Sequence, residues 1–71
     1  MSVVKNVGYR KFPKQGKSLN KRVEVCFNYR FSHTIYGTIV RDDIQKPYVE
    51  IIKLDDGRYI RTEECQYRRI D

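Results

Sequence analysis

The strongest structural signal in the sequence is the dipeptide Asp56-Gly57, which separates two runs of β-forming residues in KLDDGRYI. Asp-Gly is typical of a type I′ turn, in which both central residues need a positive φ. The sequence therefore predicts a tight hairpin from Tyr48 to Thr62. The strand before this turn reads PYVEIIKL and begins at Pro47.

Two earlier strands are indicated by apolar residues at every second position. RVEVCFN, residues 22–28, alternates apolar and other side chains, as expected of a strand with one buried face. A second strand is predicted over residues 34–41, with a bulge or bend at Gly37. Residues 42–46 then form a turn.

The segment after the hairpin predicts one helical turn and a last strand. TEECQ is short and polar, with Thr62 as candidate cap, and residues 67–70 form the strand. We expect an all-β fold, a small five-stranded barrel, because a sheet of this size must curl to bury an apolar face. The predicted core comprises Val23, Val25, Phe27, Ile35, Ile39, Val49, Ile51, Leu54, Ile60 and Cys65, with Ile52 or Val40 covering an end.

Positive charge is concentrated at the start of the chain. Of the 15 lysines and arginines, seven precede residue 23, whereas all nine acidic residues follow it. The lysines between residues 11 and 21 alternate with Pro, Gly, Ser and Asn, a composition that buries little apolar surface. We predict a basic, flexible arm over residues 1–20 and a folded domain over residues 21–71, with an additional short strand over residues 3–9 as an alternative. Such an arm either binds an anionic partner or is simply solvated.

The sequence contains no pattern of catalytic, metal-binding or cofactor-binding residues. His33 adjoins Ser32, and neighbouring side chains on an extended segment point to opposite sides. Cys26 and Cys65 lie in no CxxC pair, so we expect both to be reduced and at least partly buried. The acidic pairs fall at predicted turns, and the four glycines form no phosphate loop. We therefore predict that the protein is not an enzyme and needs no cofactor or metal.

The sequence also contains no apolar run near the roughly 20 residues of a membrane-spanning helix and no secretory signal pattern. We expect a cytoplasmic monomer that does not bind membranes.

The predicted order of elements resembles that of the SH3-like barrels, including Tudor-type and KOW-type modules. The residues that carry this resemblance are 23–27, 36–40, 54–59 and 63–65, so it covers about residues 21 to 71. It implies a binding module for a peptide, a modified side chain or nucleic acid. The chain also resembles small proteins of Bacillus prophages, which implies no function. It has no tryptophan, the residue that peptide-binding SH3 domains usually place in their groove.

The stretch FNYRFSHTIYG, residues 27–37, combines four aromatic residues, one arginine and the only histidine. We expect Phe27 to face the core and Phe31 to cover the barrel end as a lid, which leaves the tyrosines of this stretch in solvent. The candidate binding residues are Tyr29, Arg30, His33, Tyr36, Arg58, Tyr59, Arg61, Lys11, Lys14 and Lys17.

Two functions remain open for this surface. In the first, the arm neutralises the phosphates of a nucleic acid while the tyrosines stack on unpaired bases. In the second, the domain is a protein-protein adaptor that engages a host or phage protein, with tyrosine and arginine as anchors.

Overall fold

The structure, a computed structural model, describes residues 12–70. Its elements are β1 (Arg22–Cys26), β2 (Ile35–Asp42), β3 (Glu50–Leu54), β4 (Tyr59–Arg61), a 3₁₀ turn (Thr62–Glu64) and β5 (Gln66–Arg69). The prediction of an all-β chain with one helical turn before the last strand is confirmed.

The five strands form one antiparallel sheet in the order β4-β3-β2-β1-β5. Strands that follow each other along the chain are paired, except for β5, which crosses to the other side of the sheet and pairs with β1. Val25 of β1 lies opposite Ile35 of β2 on one side and Tyr67 of β5 on the other. These three residues therefore share one face of the sheet.

The sheet does not close into the predicted barrel. Within residues 12–70, no ladder joins its two edges, β4 and β5. β4 has only 3 residues, and the 3₁₀ turn follows it directly and leads the chain to the opposite edge. One side-chain contact crosses the apolar face instead: the hydroxyl of Tyr67 in β5 donates to Oε1 of Glu50 in β3 at 3.0 Å.

The core lies on one face of the sheet. Val23, Val25, Ile39, Ile52, Leu54 and Cys65 form the buried cluster, and Phe27, Ile35 and Ile60 pack against it. The predicted core is wrong at Val49 and Ile51, which are only half-buried. Since alternate residues of a strand share a face, the burial of Leu54 places Ile52 inward and Ile51 on the opposite face.

The bulge in β2 lies after Ile39. The prediction of a bulge or bend at Gly37 is therefore wrong. Ile39 pairs with Ile52 and Arg41 with Ile51, so Val40 is the extra residue. Gly37 remains in the ladder, where a Cβ atom would lie 2.7 Å from Cγ2 of Ile52 and 2.9 Å from the carbonyl oxygen of Lys53. Glycine is needed there because β3 packs closely, and not because the strand bends.

The β3-β4 hairpin is confirmed, but its turn is not type I′. Only Gly57 of the turn has a positive φ, at 95°. The Gly57 N–H donates to the Leu54 carbonyl at 2.9 Å, and the Leu54 N–H donates to the Arg58 carbonyl at 2.7 Å. The loop is therefore three residues long, a tight turn followed by a left-handed glycine.

The helical turn also begins differently from the prediction. Arg61 is the residue that precedes it, and its backbone N–H donates to Oε2 of Glu64 at 2.8 Å. Thr62 is thus the first residue of the turn and not its cap.

The second half of the predicted arm contacts the end of β2. The Gly16 N–H donates to the Asp42 carbonyl at 2.8 Å, and the Asn20 N–H donates to the Ile39 carbonyl at 2.7 Å. Lys11 and the alternative strand over residues 3–9 lie outside the described residues.

Candidate functional site

The loop that joins β1 to β2, residues 27–34, is fixed in shape by its own hydrogen bonds; we call it the aromatic loop. Asn28 and Tyr29 have positive φ values of 54° and 57°. The Arg30 N–H donates to the Phe27 carbonyl and the His33 N–H to the Arg30 carbonyl, both at 3.1 Å. The Tyr29 N–H donates to Oε1 of Gln66 at 2.8 Å, which ties the loop to β5.

The tip of the aromatic loop exposes two rings and a cation. Tyr29 is 70% exposed and Phe31 is 75% exposed. Their ring centroids lie 6.3 Å apart in an edge-to-face arrangement. The prediction that Phe31 covers the core is wrong, because the left-handed residues at 28–29 turn the chain outward. Arg30, between the two rings in sequence, has no ion-pair partner among residues 12–70.

A groove of about 120 Å³ lies beside the aromatic loop. Phe31 and Thr34 form one wall, and β1 and β5 form the other. Its only acidic group, Glu24, accepts hydrogen bonds from Nε of Arg68 at 2.7 Å and from Oγ1 of Thr34 at 2.9 Å. These bonds, the arginine's first, lower the pKa of Glu24. The groove therefore exposes little uncompensated negative charge.

Tyr36 and Tyr59 lie on the face of the sheet opposite the core. Tyr36 is 47% exposed and lies opposite Glu24, and Tyr59 is 64% exposed. Nζ of Lys53 lies 5.6 Å from the ring centroid of Tyr59, a cation-π distance. Among the rings of residues 12–70, only Tyr29 and Phe31 contact each other. The candidate tyrosines are thus spread over a surface and form no closed cage.

Arg58 and Arg61 are already paired with acidic side chains. Nε of Arg58 lies 2.7 Å from Oδ2 of Asp56, and its guanidinium lies 5.8 Å from the ring centroid of Phe27. Nε of Arg61 lies 3.2 Å from Oε1 of Glu63. Both arginines are therefore less available to an external anion than Arg30.

His33 contacts Ser32, contrary to the prediction that their side chains point apart. Oγ of Ser32 lies 3.0 Å from Nδ1 of His33, because the chain turns here and is not extended. Both residues are exposed, and no acidic side chain among residues 12–70 orients the ring.

Acidic and basic groups differ sharply in how they are compensated. Each of the eight acidic residues between 12 and 70 has a partner. Five are paired with an arginine: Glu24, Asp43, Asp55, Asp56 and Glu63. The other three accept hydrogen bonds, Asp42 and Glu64 from a backbone N–H and Glu50 from the Tyr67 hydroxyl. By contrast, seven cations in this part of the chain have no acidic partner. Lys53 contacts the ring of Tyr59, and the other six have no ring contact either: Lys14, Lys17, Lys21, Arg30, Lys46 and Arg69. The uncompensated charge of residues 12–70 is therefore positive.

A second, larger groove of about 650 Å³ lies between residues 12–19 and residues 40–47; we call it the arm groove. It is lined by Phe12, Pro13, Gln15, Leu19, Val40, Arg41, Asp43, Lys46 and Pro47. Lys14 and Lys17, both candidate residues, are exposed in the same arm segment. Sequence reasoning missed Phe12, Val40 and Lys46, since the groove exists only where the arm contacts β2.

The aromatic loop and the arm groove lie at opposite ends of β2. The loop leads into Ile35, whereas the groove surrounds the segment that starts at Val40. β2 has 8 residues, so an extended strand of this length spans about 23 Å. A ligand that touches both places must be long.

Cys26 and Cys65 are free and buried, as predicted. Within residues 12–70, no three side chains of the His, Cys, Asp or Glu type are grouped to hold a metal ion. The same part of the chain has no helix with the length and apolar character needed to cross a membrane. No family model, no curated protein and no solved structure matches the chain.

Proposed function

We propose that the chain is a non-enzymatic module that binds single-stranded nucleic acid through its uncompensated cations and exposed rings. The observation that carries this proposal is a difference between the acidic and the basic side chains of residues 12–70. Every acidic side chain has an ion-pair or hydrogen-bond partner, whereas six cations have neither an acidic partner nor a ring contact. A phosphate chain supplies the missing negative charge.

The aromatic loop supplies the contacts to bases. Exposed tyrosine and phenylalanine rings stack on unpaired bases, with roughly 1 to 3 kcal/mol for each base. Arg30 lies between the two rings in sequence and has no ion-pair partner among residues 12–70, so it can meet a phosphate. Because hydrogen bonds already fix the loop, little conformational entropy is lost when a ligand binds. The rings favour a single strand over a duplex, whose bases are stacked on each other.

A protein partner is the second candidate, in which the chain is an adaptor for a host or phage protein. The groove beside Phe31 favours it, since its volume of about 120 Å³ suits one apolar side chain of a partner. Exposed aromatic rings with an arginine are also the anchors that dominate many protein interfaces. The two candidates differ in salt dependence, because only phosphate binding releases many counterions.

We also propose that the fold is a relative of the SH3-like barrels and that the chain is a cytoplasmic monomer. The strand order, the bulge in β2, the tight β3-β4 turn and the 3₁₀ turn before β5 support the first proposal. Two buried free thiols suit a reducing compartment and support the cytoplasmic location.

Fluorescence anisotropy with a labelled single strand of roughly ten nucleotides tests the function. We expect affinity to fall steeply between about 50 and 200 mM salt, with a slope of about −0.7 for each phosphate neutralised. The duplex of the same sequence serves as the ligand control and is expected to bind more weakly.

Variants of the aromatic loop test the role of the rings. Tyr29→Ala with Phe31→Ala is expected to weaken binding by about tenfold or more, since at least one stacking contact is lost. Tyr29→Phe with Phe31→Tyr keeps both rings and should bind like the wild type. Absence of single-strand binding at low salt overturns the proposal, and salt-insensitive capture of a protein partner supports the adaptor instead.

A further inference from the structure

We infer that the arm groove holds one unpaired base of the same nucleic acid, with the adjoining phosphates at Lys46 and Lys14. This inference rests on the proposed function and adds a second base site to it, at the other end of β2 from the aromatic loop.

The two walls of the groove are held together without a ligand. The backbone of the arm bonds to β2 and to the turn that follows, from Gly16 N–H to the Asp42 carbonyl at 2.8 Å and from Ile44 N–H to the Lys14 carbonyl at 2.9 Å. The Gln15 side chain adds two bonds: its Nε2 donates to Oδ1 of Asp43 at 2.7 Å, and its Oε1 accepts from Asp42 N–H at 2.6 Å. The groove is therefore preformed, which favours ligand binding.

The walls of the groove are mainly apolar. Phe12 is 56% exposed, Val40 is exposed at the bulge, and Pro13, Leu19 and Pro47 complete the apolar lining. The volume of about 650 Å³ lies within the range of small-ligand sites, roughly 300 to 1,000 Å³. Broad apolar surfaces of this kind suit the flat face of a nucleobase.

The charges around the groove favour an anion. Lys46 lines it, and the backbone of Lys14 pairs with Ile44 and Gln45 next to Lys46. Neither lysine has an acidic partner among residues 12–70. The one acidic residue of the lining, Asp43, has a completely buried side chain bonded to Arg41 and Gln15. The groove thus combines apolar walls with one uncompensated cation in its lining, Lys46, and a second, Lys14, in the adjoining arm segment. A nucleotide, with an apolar base face and an anionic phosphate, matches this combination.

The position of the groove selects nucleic acid over an acidic peptide. The aromatic loop offers the same combination of exposed rings and an uncompensated cation before Ile35, roughly 17 Å along β2 from Val40, the first strand residue of the groove. A single strand repeats base and phosphate along its length and so satisfies both places with one ligand.

NMR titration of the full-length ¹⁵N-labelled chain with a single strand of roughly ten nucleotides tests the inference. We expect the amides of Gly16, Val40 and Lys46 to shift together with those of Tyr29 and Arg30, with one common Kd. Phe12→Ala is expected to weaken binding roughly fivefold or more. Lys46→Gln is expected to reduce the magnitude of the salt slope by about 0.7.

Lys53→Gln is the matched control, because it removes an exposed lysine on the face opposite the core and outside the groove. It should leave the shifts of the groove amides unchanged. Unaltered spectral dispersion of each variant shows that the sheet remains folded.

The possible outcomes are distinguishable. Shifts confined to the aromatic loop overturn the inference and leave the proposed function intact, whereas no shift anywhere at low salt overturns both. If the groove amides shift with a peptide of alternating glutamate and leucine but not with the single strand, the groove binds acidic peptides and the inference fails.

Discussion

The guanidinium of Arg41 donates to both oxygens of the Asp43 carboxylate, at distances from 2.9 to 3.1 Å. The Asp43 side chain has no exposed surface, and it also accepts from Nε2 of Gln15 at 2.7 Å and from the Val49 N–H at 3.2 Å. One carboxylate therefore joins the arm, the end of β2 and the segment that leads into β3.

Asp43→Asn is expected to lower the free energy of unfolding by about 1 to 3 kcal/mol, because one of the two acceptor oxygens becomes an NH2 group that faces donors. Chemical denaturation of both proteins at neutral pH measures this loss. Asp56→Asn is the control, since Asp56 pairs with Arg58 in an exposed position and should matter much less. Equal losses in the two variants would contradict a structural role for Asp43.

The Arg41–Asp43 pair also predicts how the free energy of unfolding depends on pH. The hydrogen bonds from Arg41, followed by those from Gln15 and Val49, outweigh burial and lower the pKa of Asp43. Because the pKa of Asp43 is lower in the folded than in the unfolded state, the ionised carboxylate stabilises the folded state. This stabilisation is complete above the ordinary aspartate pKa of about 4 and is lost as pH falls through the pKa of the folded state. The difference in free energy of unfolding between the wild type and Asp43→Asn should therefore be constant near neutral pH and shrink below about pH 4.

Tyr67→Phe tests the contact that crosses the apolar face. Burial, followed by the hydrogen bond to Glu50, raises the pKa of Tyr67 to about 12. When the pKa of a tyrosine is higher in the folded than in the unfolded state, the neutral hydroxyl stabilises the folded state. This stabilisation is complete below the ordinary tyrosine pKa of about 10 and is lost as pH rises through the pKa of the folded state. We expect the variant to lose about 0.5 to 1.5 kcal/mol at neutral pH.

Ultraviolet titration of tyrosine ionisation provides the second measurement for Tyr67. The wild type should show one late ionisation that Tyr67→Phe lacks, and its stability should fall more steeply between about pH 10 and pH 12. A late ionisation that persists in the variant belongs to another tyrosine and rules out the assignment.

Ile52→Val and Ile51→Val test which face of β3 is buried. Ile52 is completely buried, whereas its neighbour is half-buried on the other face. We expect Ile52→Val to cost about 0.5 to 1.5 kcal/mol and Ile51→Val to cost clearly less. The reverse order, measured by thermal unfolding, would show that β3 presents the opposite face to the core.

Gly16→Ala tests whether the arm is held at the end of β2. A Cβ atom there would lie 2.5 Å from Oδ2 of Asp42 and 2.7 Å from Cγ2 of Ile44. We expect amide exchange to accelerate at Gly16 and Ile44 while the sheet amides stay protected. Gly37→Ala should instead lower protection throughout the sheet, because its Cβ would meet the carbonyl of Lys53. If both variants have the same global effect, the arm does not separate from the sheet as a local unit.

The sequence was most informative about local features of the fold. Alternation predicted β1 and β2, and Asp56-Gly57 predicted the β3-β4 hairpin, because both signals depend on residues close in sequence. The bulge at Val40 and the closure of the sheet depend on how distant strands meet, and the local pattern carries no such information. Ile51 and Ile52 are both apolar, so composition alone did not decide which one faces the core.

The candidate site was predictable to a similar extent. Tyr29, Tyr36 and Tyr59 are exposed, as expected of recognition residues. Three ion pairs join residues only two positions apart, as in Arg58 with Asp56, so an i, i+2 search of the strands and turns would have found them. The arm groove required the contact between residues 12–19 and β2, which no local pattern indicates.

Among residues 12–70, the open sheet leaves two strands, β4 and β5, with an unpaired side on which a strand from another molecule could form hydrogen bonds. Both are short, and arginines occupy them: Arg61 on β4, and Arg68 and Arg69 on β5. Arg61 and Arg68 are paired with Glu63 and Glu24, so the edges carry charged side chains rather than a large net positive charge. Short edge strands with charged side chains disfavour pairing with the edge of another molecule. Replacing these arginines with neutral β-branched residues would thus remove the protection against aggregation that an unclosed sheet requires.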